Sequence, residues 1–269
     1  MKAAVISDLH VDMNEGHPVI AALCEAVKRQ EIELLIVAGD LANHYEQSLA
    51  AIRDIREGSG AQVLFVPGNH DYWSIDDPQH DTWATYRHFQ QTEGCLSGGA
   101  YAPNEDWIII GDSGWYDYSF GTADYTEAEY DAMKLGERTW KDSLFVNWGR
   151  SNKEIHRYFY EKMAAELALH QGKKVILVTH MLTDARFTVP VERKPWDYFN
   201  AFLGSEQYGE LYARYDVRYS IMGHVHYRRT VTAGATQLIC PCLGYNHEWH
   251  NGGEARQEVE HALQVVELD

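Results

Sequence analysis

Five short apolar runs in this chain each end in polar side chains of types that bind metals, and this repeated arrangement restricts the possible folds more than any other feature. Continuous apolar runs of this length are typical of strands that are buried on both faces of a sheet. Ligands of open α/β sheets bind at the carboxyl ends of the strands, so we expect these side chains to meet in one site. The segments that end the runs are Asp8-Leu9-His10, Gly39-Asp40, Gly68-Asn69-His70-Asp71, His180 and Gly223-His224-Val225-His226.

The apolar runs alternate with helical stripes in the N-terminal part of the chain. Val19, Leu23 and Val27 share one face of a predicted helix, and Leu49 and Ile52 share one face of the next. This alternation of strand and helix indicates parallel βαβ units. The predicted strands are residues 3–7, 34–38, 63–66, 107–110, 175–179, 219–222, 237–240 and 263–266.

The strand pattern disappears between residues 114 and 171, where aromatic residues become frequent. Residues 154–170 within this stretch have a clear helical pattern of apolar side chains. We interpret the stretch as an inserted helical cap; the alternative is a helical layer that packs on the sheet without a role in the site. Trp115, Tyr116 and Tyr118 follow a predicted strand, so they either rim a pocket or pack in the core.

The acidic composition of the chain restricts its class of partner. The 269 residues carry a formal net charge of −17 with no dense run of lysine and arginine, which argues against nucleic acid as a long substrate. A small phosphorylated substrate is compatible with this charge, because bound cations can invert the local field. No apolar run approaches the roughly 20 residues that span a membrane. Without a signal-peptide pattern we expect a cytoplasmic protein with reduced thiols at Cys24, Cys95, Cys240 and Cys242.

The predicted cluster of Asp, Asn and His side chains would be unstable without a cation. Asp8 and Asp40 would repel each other, and one of them would have to take up a proton. Divalent cations remove this repulsion, and carboxylate, amide and imidazole ligands suit Mn²⁺, Fe or Zn²⁺ rather than a thiolate-selective metal. Gly39, Gly68 and Gly223 precede predicted ligands and allow the chain to turn sharply off each strand.

The order of the motifs resembles that of the calcineurin-like metallophosphoesterase superfamily, which reads D-x-H, G-D, G-N-H-D/E, H and G-H-x-H. The matching residues run from Asp8 to His226 and cover most of the chain. The resemblance implies an α+β fold, a four-layer α/β/β/α sandwich of two mixed β-sheets. Ligands so widely separated must meet in one site, so we expect a single domain over residues 1–269 with the helical cap, at about 114–171, inserted in it.

The resemblance also implies a site with two divalent metal ions, of which manganese is the first expectation and iron or zinc the alternatives. The first ion would bind Asp8, His10 and His226, the second would bind Asn69, His180 and His224, and Asp40 would lie between them. A hydroxide that bridges the ions would attack phosphorus. His70 would act outside the metal shell, as general acid or by stabilising charge on the phosphoryl group, and Asp71 would orient its ring.

Departures from the family pattern narrow the expected substrate. The chain lacks the Asp-Arg-Gly sequence of protein Ser/Thr phosphatases at its second motif, and no arginine immediately precedes Gly68. Those arginines bind phosphate in the protein phosphatases, so we expect the phosphodiesterase or small-phosphatase branch. The predicted activity is hydrolysis of phosphodiester or phosphomonoester bonds in a small phosphorylated molecule. Two alternatives stay open: a non-catalytic scaffold on the same fold, and a DNA exonuclease.

Overall fold

Two mixed β-sheets packed face to face form the centre of the fold, which a computed structural model describes for residues 1–250 and 253–269. The first sheet contains the parallel strands β1 (Lys2–Ile6), β2 (Leu34–Ala38) and β3 (Gln62–Val66), with β11 (Gln264–Glu267) antiparallel to β1. In the second sheet, β4 (Trp107–Gly111), β7 (Lys174–Val178), β8 (Val217–Ile221) and β10 (Thr236–Pro241) are parallel in that order. The edge strand β9 (Arg228–Ala233) is antiparallel to β10.

Alternate residues of each strand face opposite layers, which explains why the strands are apolar throughout. Val5, Ile36 and Ile176 belong to the core between the two sheets. Their neighbours Ile6 and Val37 belong to a second core, which the helices cover. A strand with one face on the other sheet and one face on a helix has no solvent-facing side, so its residues are apolar in succession.

Helices cover the outer face of each sheet and complete four layers. On the first sheet, α1 (Val19–Arg29) packs against α2 (Tyr45–Ser59) and α9 (Ala255–Ala262). On the second, α6 (Asn152–Leu169) packs on β4, and α3 (Thr82–Gln90) contacts α6 through the rings of Tyr86 and Phe159. The shorter helices are α4 (Glu127–Asp131), α5 (Asp142–Phe145), α7 (Trp196–Phe199) and α8 (Tyr208–Arg214).

The predicted fold class and all eight predicted strands are confirmed, with strand ends displaced by at most two residues. The predicted helical stripes also lie within α1 and α2, where Val19, Leu23, Val27 and Ile52 are buried. The prediction missed strand β9, whose sequence is mostly polar. An edge strand has no neighbour on one side and tolerates exposed polar residues, so the apolar pattern that marks the other strands is absent.

The stretch 114–171 contains α4, the short hairpin of β5 (Lys134–Leu135) and β6 (Arg138–Thr139), α5 and α6. Helix α6 begins at a capping box of Ser151 and Glu154, and its buried stripe packs on the second sheet. Trp115, Tyr116 and Tyr118 are buried and pack in the core. Only the part of this stretch around residues 139–142 lines the site described below.

The four cysteines are buried free thiols, and the Sγ atoms of Cys240 and Cys242 lie 3.5 Å apart. Within residues 1–250 and 253–269, no helix combines the length and apolar character needed to cross a lipid bilayer.

Candidate metal centre

The seven predicted ligands converge at the carboxyl ends of five strands from both sheets. Asp8, Asp40 and Asn69 follow β1, β2 and β3 of the first sheet, and His180 and His224 follow β7 and β8 of the second. Backbone φ is positive, between 41° and 77°, at five of the seven residues. These are Asp8, His10, Asp40, His224 and His226. Such conformations cost energy for residues other than glycine and persist where the surrounding structure enforces them, typically at functional sites.

Two glycines allow the strand ends to approach one another. Gly39 has a φ of +86°, and a Cβ atom there would lie 2.6 Å from Nδ1 of His180. A Cβ atom on Gly223 would lie 2.6 Å from the Asp8 carboxylate. Any larger residue at either position would push a predicted ligand out of place. The expected sharp turn has a positive φ at Gly39, whereas Gly223 serves the close approach of the two strand ends.

The first group of converging atoms comes from Asp8, His10, Asp40 and His226, with candidate ligand atoms within 4.8 Å of one another. The Nε2 atoms of His10 and His226 are 3.0 Å apart. Nε2 of His226 lies 3.5 Å from the Asp8 carboxylate, and Nε2 of His10 lies 3.7 Å from the Asp40 carboxylate. Two imidazole nitrogens at this distance need a proton or a metal ion between them, and the adjacent carboxylates favour a cation.

The second group comes from Asp40, His180 and His224. Nε2 of His180 lies 3.2 Å from Oδ2 of Asp40, 3.2 Å from Nδ1 of His224 and 3.0 Å from Oδ1 of Asn69. Asp40 therefore takes part in both groups, and its buried Oδ2 atom faces ring nitrogens of both His10 and His180. A buried carboxylate is costly unless positive charge neutralises it.

Three of the histidines are held so that one ring nitrogen faces the cluster. Nδ1 of His180 donates to the carbonyl of Ala38, and Nε2 of His224 donates to the carbonyl of Phe202. Nδ1 of His226 bonds to the carboxylate of Glu248 at 2.9 Å. When these rings are neutral, the lone pair of the second nitrogen points into the cluster, which is the arrangement of metal-binding histidines. The donor set therefore fits two divalent cations.

The charges of the metal-free cluster compensate one another. Burial acts to lower the pKa of His180, but the nearby carboxylate of Asp40 outweighs it and raises that pKa to about 10. Burial acts to raise the pKa of Asp40, but the positive charge on His180 holds it well below its usual range. Burial lowers the pKa of His10 and His224 well below the ordinary histidine value. His180 therefore carries a proton beside the Asp40 carboxylate at neutral pH.

The ring of His70 lies next to the cluster, at the edge of the cavity. Its Nε2 atom is 4.0 Å from the Asp40 carboxylate, and its Nδ1 atom is 2.6 Å from Oδ1 of Asn43. The ring stacks on Trp73 with centroids 3.7 Å apart. Burial lowers the pKa of His70. Two neighbours thus fix the ring, and neither of them is Asp71.

The expectation that Asp71 orients the ring of His70 is wrong in its geometry. The Asp71 carboxylate is buried and accepts hydrogen bonds from the backbone N–H groups of Asp40, Leu41 and Gly68 at 2.7–2.9 Å. The hydroxyl of Ser48 donates to it at 2.5 Å. Asp71 thus holds together the two loops that carry Asp40 and Asn69, while Asn43 contacts the His70 ring.

Replacing Asp71 with asparagine is expected to destabilise the protein by about 3 kcal/mol, since an amide NH₂ would face backbone N–H donors that then lack an acceptor. The free energy of unfolding in urea, measured with a chelator present, checks this apart from any effect of metal. Ser48→Ala, which removes one donor and leaves the carboxylate, should cost about 1 kcal/mol. A loss below about 0.5 kcal/mol for Asp71→Asn would contradict the role given to this carboxylate.

A cavity of about 330 Å³ opens over the cluster and has largely apolar walls. The wall residues are Trp73, Trp140, Val189, Trp196, Leu203 and Val225. His70, His224 and His226 lie on its metal-facing side, with Tyr245 and Glu248. Among the described residues that line the cavity, Lys141 is the one lysine or arginine, and it places a positive charge in the wall.

Three residues of the site were missed by the sequence analysis. Glu248 contacts His226, Asn43 contacts His70, and Asp142 accepts a hydrogen bond from Nδ2 of Asn69 at 2.9 Å. None follows an apolar run directly, so the pattern that identified the ligands gives no signal for them. Asn43 alone lies close to a motif, three residues after Asp40.

Comparison with known proteins identifies relatives over most of the chain. A family model described as calcineurin-like phosphoesterase matches residues 1–228. The chain is 24% identical over 264 residues to the acyl-carrier-protein phosphodiesterase PptH of Mycobacterium tuberculosis, with 91% of this chain and 78% of that protein aligned.

Solved structures share the fold. The crystal structure of the phosphopantetheinyl hydrolase PptH from Mycobacterium tuberculosis superposes with a TM-score of 0.77 at 20% identity, covering 100% of this chain and 96% of that chain. A dimetal phosphatase from Danio rerio superposes with a TM-score of 0.53 at 14% identity, covering 89% and 86% of the two chains. At these sequence identities the superpositions show a shared fold, and the chemistry of this chain depends on its own site residues.

Proposed function

We propose, from the premise that the chain belongs to the calcineurin-like phosphoesterase family, that it hydrolyses a phosphodiester bond with the help of two divalent cations. The chain is thus a phosphoesterase, whose proposed cofactor is a pair of metal ions and whose proposed substrate is a phosphodiester. The observation that carries it is the buried Oδ2 of Asp40, which lies between two groups of facing nitrogen and oxygen atoms.

The assignment of ligands follows the two groups. Asp8, His10 and His226 would hold the first cation, Asn69, His180 and His224 the second, and Asp40 would be shared. Manganese is the proposed metal, with iron or zinc as alternatives, because oxygen and imidazole donors suit all three. Metal analysis of the purified protein, followed by reconstitution of chelated protein with each ion, tests the identity.

The residues around the cluster have separate roles in the proposed reaction. Bound cations would supply a hydroxide at neutral pH for attack on phosphorus and offset the charge of the phosphate oxygens. His70, fixed by Asn43 and Trp73, faces the same cavity and would bind a phosphoryl oxygen or give a proton to the leaving group. Asp71 would act at a distance, by holding the loops of Asp40 and Asn69 in register.

The walls of the cavity support a substrate with an apolar or flat portion beside its phosphate. Trp73, Trp140 and Trp196 offer ring surface, and Lys141 offers a cation for an anionic group. A small phosphodiester is the proposed substrate class. A second candidate is a phosphodiester on a carrier protein, which is favoured by the alignment of 91% of this chain with the acyl-carrier-protein phosphodiesterase.

The test is turnover of bis-p-nitrophenyl phosphate by manganese-loaded protein, with p-nitrophenyl phosphate as the matched monoester. We expect hydrolysis of the diester and a lower kcat/KM for the monoester. Release of phosphopantetheine from a phosphopantetheinylated carrier protein would support the second candidate. If metal-loaded protein hydrolyses neither ester nor the carrier-protein substrate, the proposal fails.

Two other functions considered from the sequence have less support. A non-catalytic scaffold on this fold is expected to lack some of the metal ligands, whereas all seven predicted ligands converge in this chain. A DNA exonuclease would need a basic surface, and the chain has a net charge of −17. Salt-sensitive, tight binding of duplex DNA would favour the nuclease over a small-molecule phosphodiesterase.

Metal binding is expected to release about one proton per chain at pH 7.5, because a cation replaces the proton of His180, whose pKa is about 10 in the metal-free protein. The apparent affinity should therefore weaken as the pH falls, since protons compete with the metal. Calorimetric titration of Mn²⁺ in buffers of different ionisation enthalpy measures the number of protons. A binding enthalpy that is the same in every buffer would contradict the expectation.

A further inference from the structure

The carboxylate of Asp142, at the start of α5, is 2% exposed and accepts hydrogen bonds from four side chains. Asn69 Nδ2 and Trp73 Nε1 donate to Oδ1 at 2.9 and 2.7 Å. Trp140 Nε1 and the Tyr116 hydroxyl donate to Oδ2 at 2.9 and 3.3 Å. Four donors offset the cost of burying this charge and leave the carboxylate in one orientation.

The contact with Asn69 decides which end of that amide faces the metal centre. An amide group has an oxygen that can bind a cation and an NH₂ that cannot. Because Nδ2 of Asn69 donates to Asp142, Oδ1 is the atom directed at the cluster, 3.0 Å from Nε2 of His180. An amide without this anchor could rotate and present its NH₂ group to the cation.

The other donors to Asp142 also lie beside the proposed second cation. Trp73 stacks on His70, and the Trp140 ring lies 5.7 Å from the ring of His224. One buried carboxylate thus links a predicted ligand with the two tryptophans that flank His70 and His224. These contacts connect the segment around residues 139–142 to the metal centre.

We propose that Asp142 is a positioning residue that sets the orientation of Asn69 and thereby the affinity of the second metal position. The inference rests on the proposed function, since it requires the second cation. It gives the segment around residues 139–142 a part in metal binding as well as in lining the cavity. A purely structural role would predict a loss of stability with no preference for one metal position.

The experiment is a calorimetric titration of metal-free protein with Mn²⁺, comparing Asp142→Leu with the unmodified chain. The unmodified chain should bind two ions. In Asp142→Leu, which has no acceptor for the Asn69 amide, one ion should bind as before and the second 10–100-fold more weakly, the effect typical of removing a residue that orients a ligand. Retained binding of the first ion shows that the variant is folded.

The control is Tyr116→Phe, which removes the longest of the four hydrogen bonds and leaves the Asn69 contact intact. Its affinities for the first and second Mn²⁺ ions should stay within about twofold of those of the unmodified chain, whatever its folding stability. Weakening of the second ion in both variants to the same extent would overturn the proposal, because general loosening would then explain it.

A second variant tests the same contact if Asp142→Leu fails to fold. Asn69→Asp combined with Asp142→Asn reverses the hydrogen bond, since the amide of residue 142 can donate to the outer oxygen of residue 69. This pair should bind the second ion at least tenfold more tightly than Asn69→Asp alone, in which two carboxylates face each other. Equal affinities would overturn the positioning role. If the unmodified chain binds no pair of ions, the proposed function fails instead.

Discussion

Replacing Asp40 with asparagine is expected to abolish hydrolysis and to reduce the bound metal from two ions to one or none. Both groups of candidate ligand atoms include the Asp40 carboxylate, at 3.2 Å from His180 and 3.7 Å from His10. An amide at this position offers one neutral oxygen to two cations, and its NH₂ group faces imidazole nitrogens. We expect kcat/KM to fall by at least 10³-fold, a barrier increase of about 4 kcal/mol.

The measurement pairs kinetics with metal analysis after removal of loosely bound ions. Asp106→Asn is a suitable control, because it makes the same change of side chain on an exposed carboxylate outside both groups of ligand atoms. Near-normal turnover by Asp40→Asn with two bound ions would contradict the shared role of this residue.

Replacing His70 with asparagine is expected to lower kcat by about 10²–10⁴-fold while both metal ions remain bound. The ring lies beside the cluster and lines the cavity, but its Nδ1 atom is occupied by Asn43 and its Nε2 atom is 4.0 Å from the Asp40 carboxylate. We therefore propose that it acts on the substrate rather than holding a cation. Asn43→Ala, which frees the ring, should cause a smaller loss of about tenfold.

Metal content separates the possible outcomes for His70. Unchanged metal with a large fall in kcat supports a role in the reaction, as general acid or in charge stabilisation. If His70→Asn loses an ion, the residue is a ligand and its assigned role is wrong. A leaving-group series distinguishes the two catalytic roles, since loss of a general acid harms poor leaving groups most.

The sequence was most informative where local pattern and chemistry coincide. Asp8, Asp40 and His180 each follow an apolar strand, and a strand that ends in a ligand is recognisable from its own residues. Strand β9 was missed because its residues are polar on an exposed edge. The strands buried between two layers are apolar throughout and were therefore recognisable from their sequence.

Contacts between distant segments could not be predicted in the same way. Asp142 lies 73 residues from Asn69, and Glu248 lies 22 residues from His226. No pattern around Asp142 or Glu248 indicates which ligand it contacts, because that depends on how the layers pack. Prediction of contacts also failed for neighbours in the sequence. Asp71 follows His70, which suggested a contact between their side chains, but the Asp71 carboxylate accepts hydrogen bonds from backbone amides of two loops.

Because the ligands come from both sheets, each proposed cation would join the first sheet to the second. The first would combine Asp8 and His10 of the first sheet with His226 of the second, and the other would combine Asn69 with His180 and His224. Metal would then act as a cross-link between layers that share an apolar core and are already hydrogen-bonded at this edge, for example from His180 to the carbonyl of Ala38. At a hundred times its Kd, an ion adds about 2.7 kcal/mol to folding stability. Loss of metal should therefore loosen the contact between the sheets before it loosens either sheet alone.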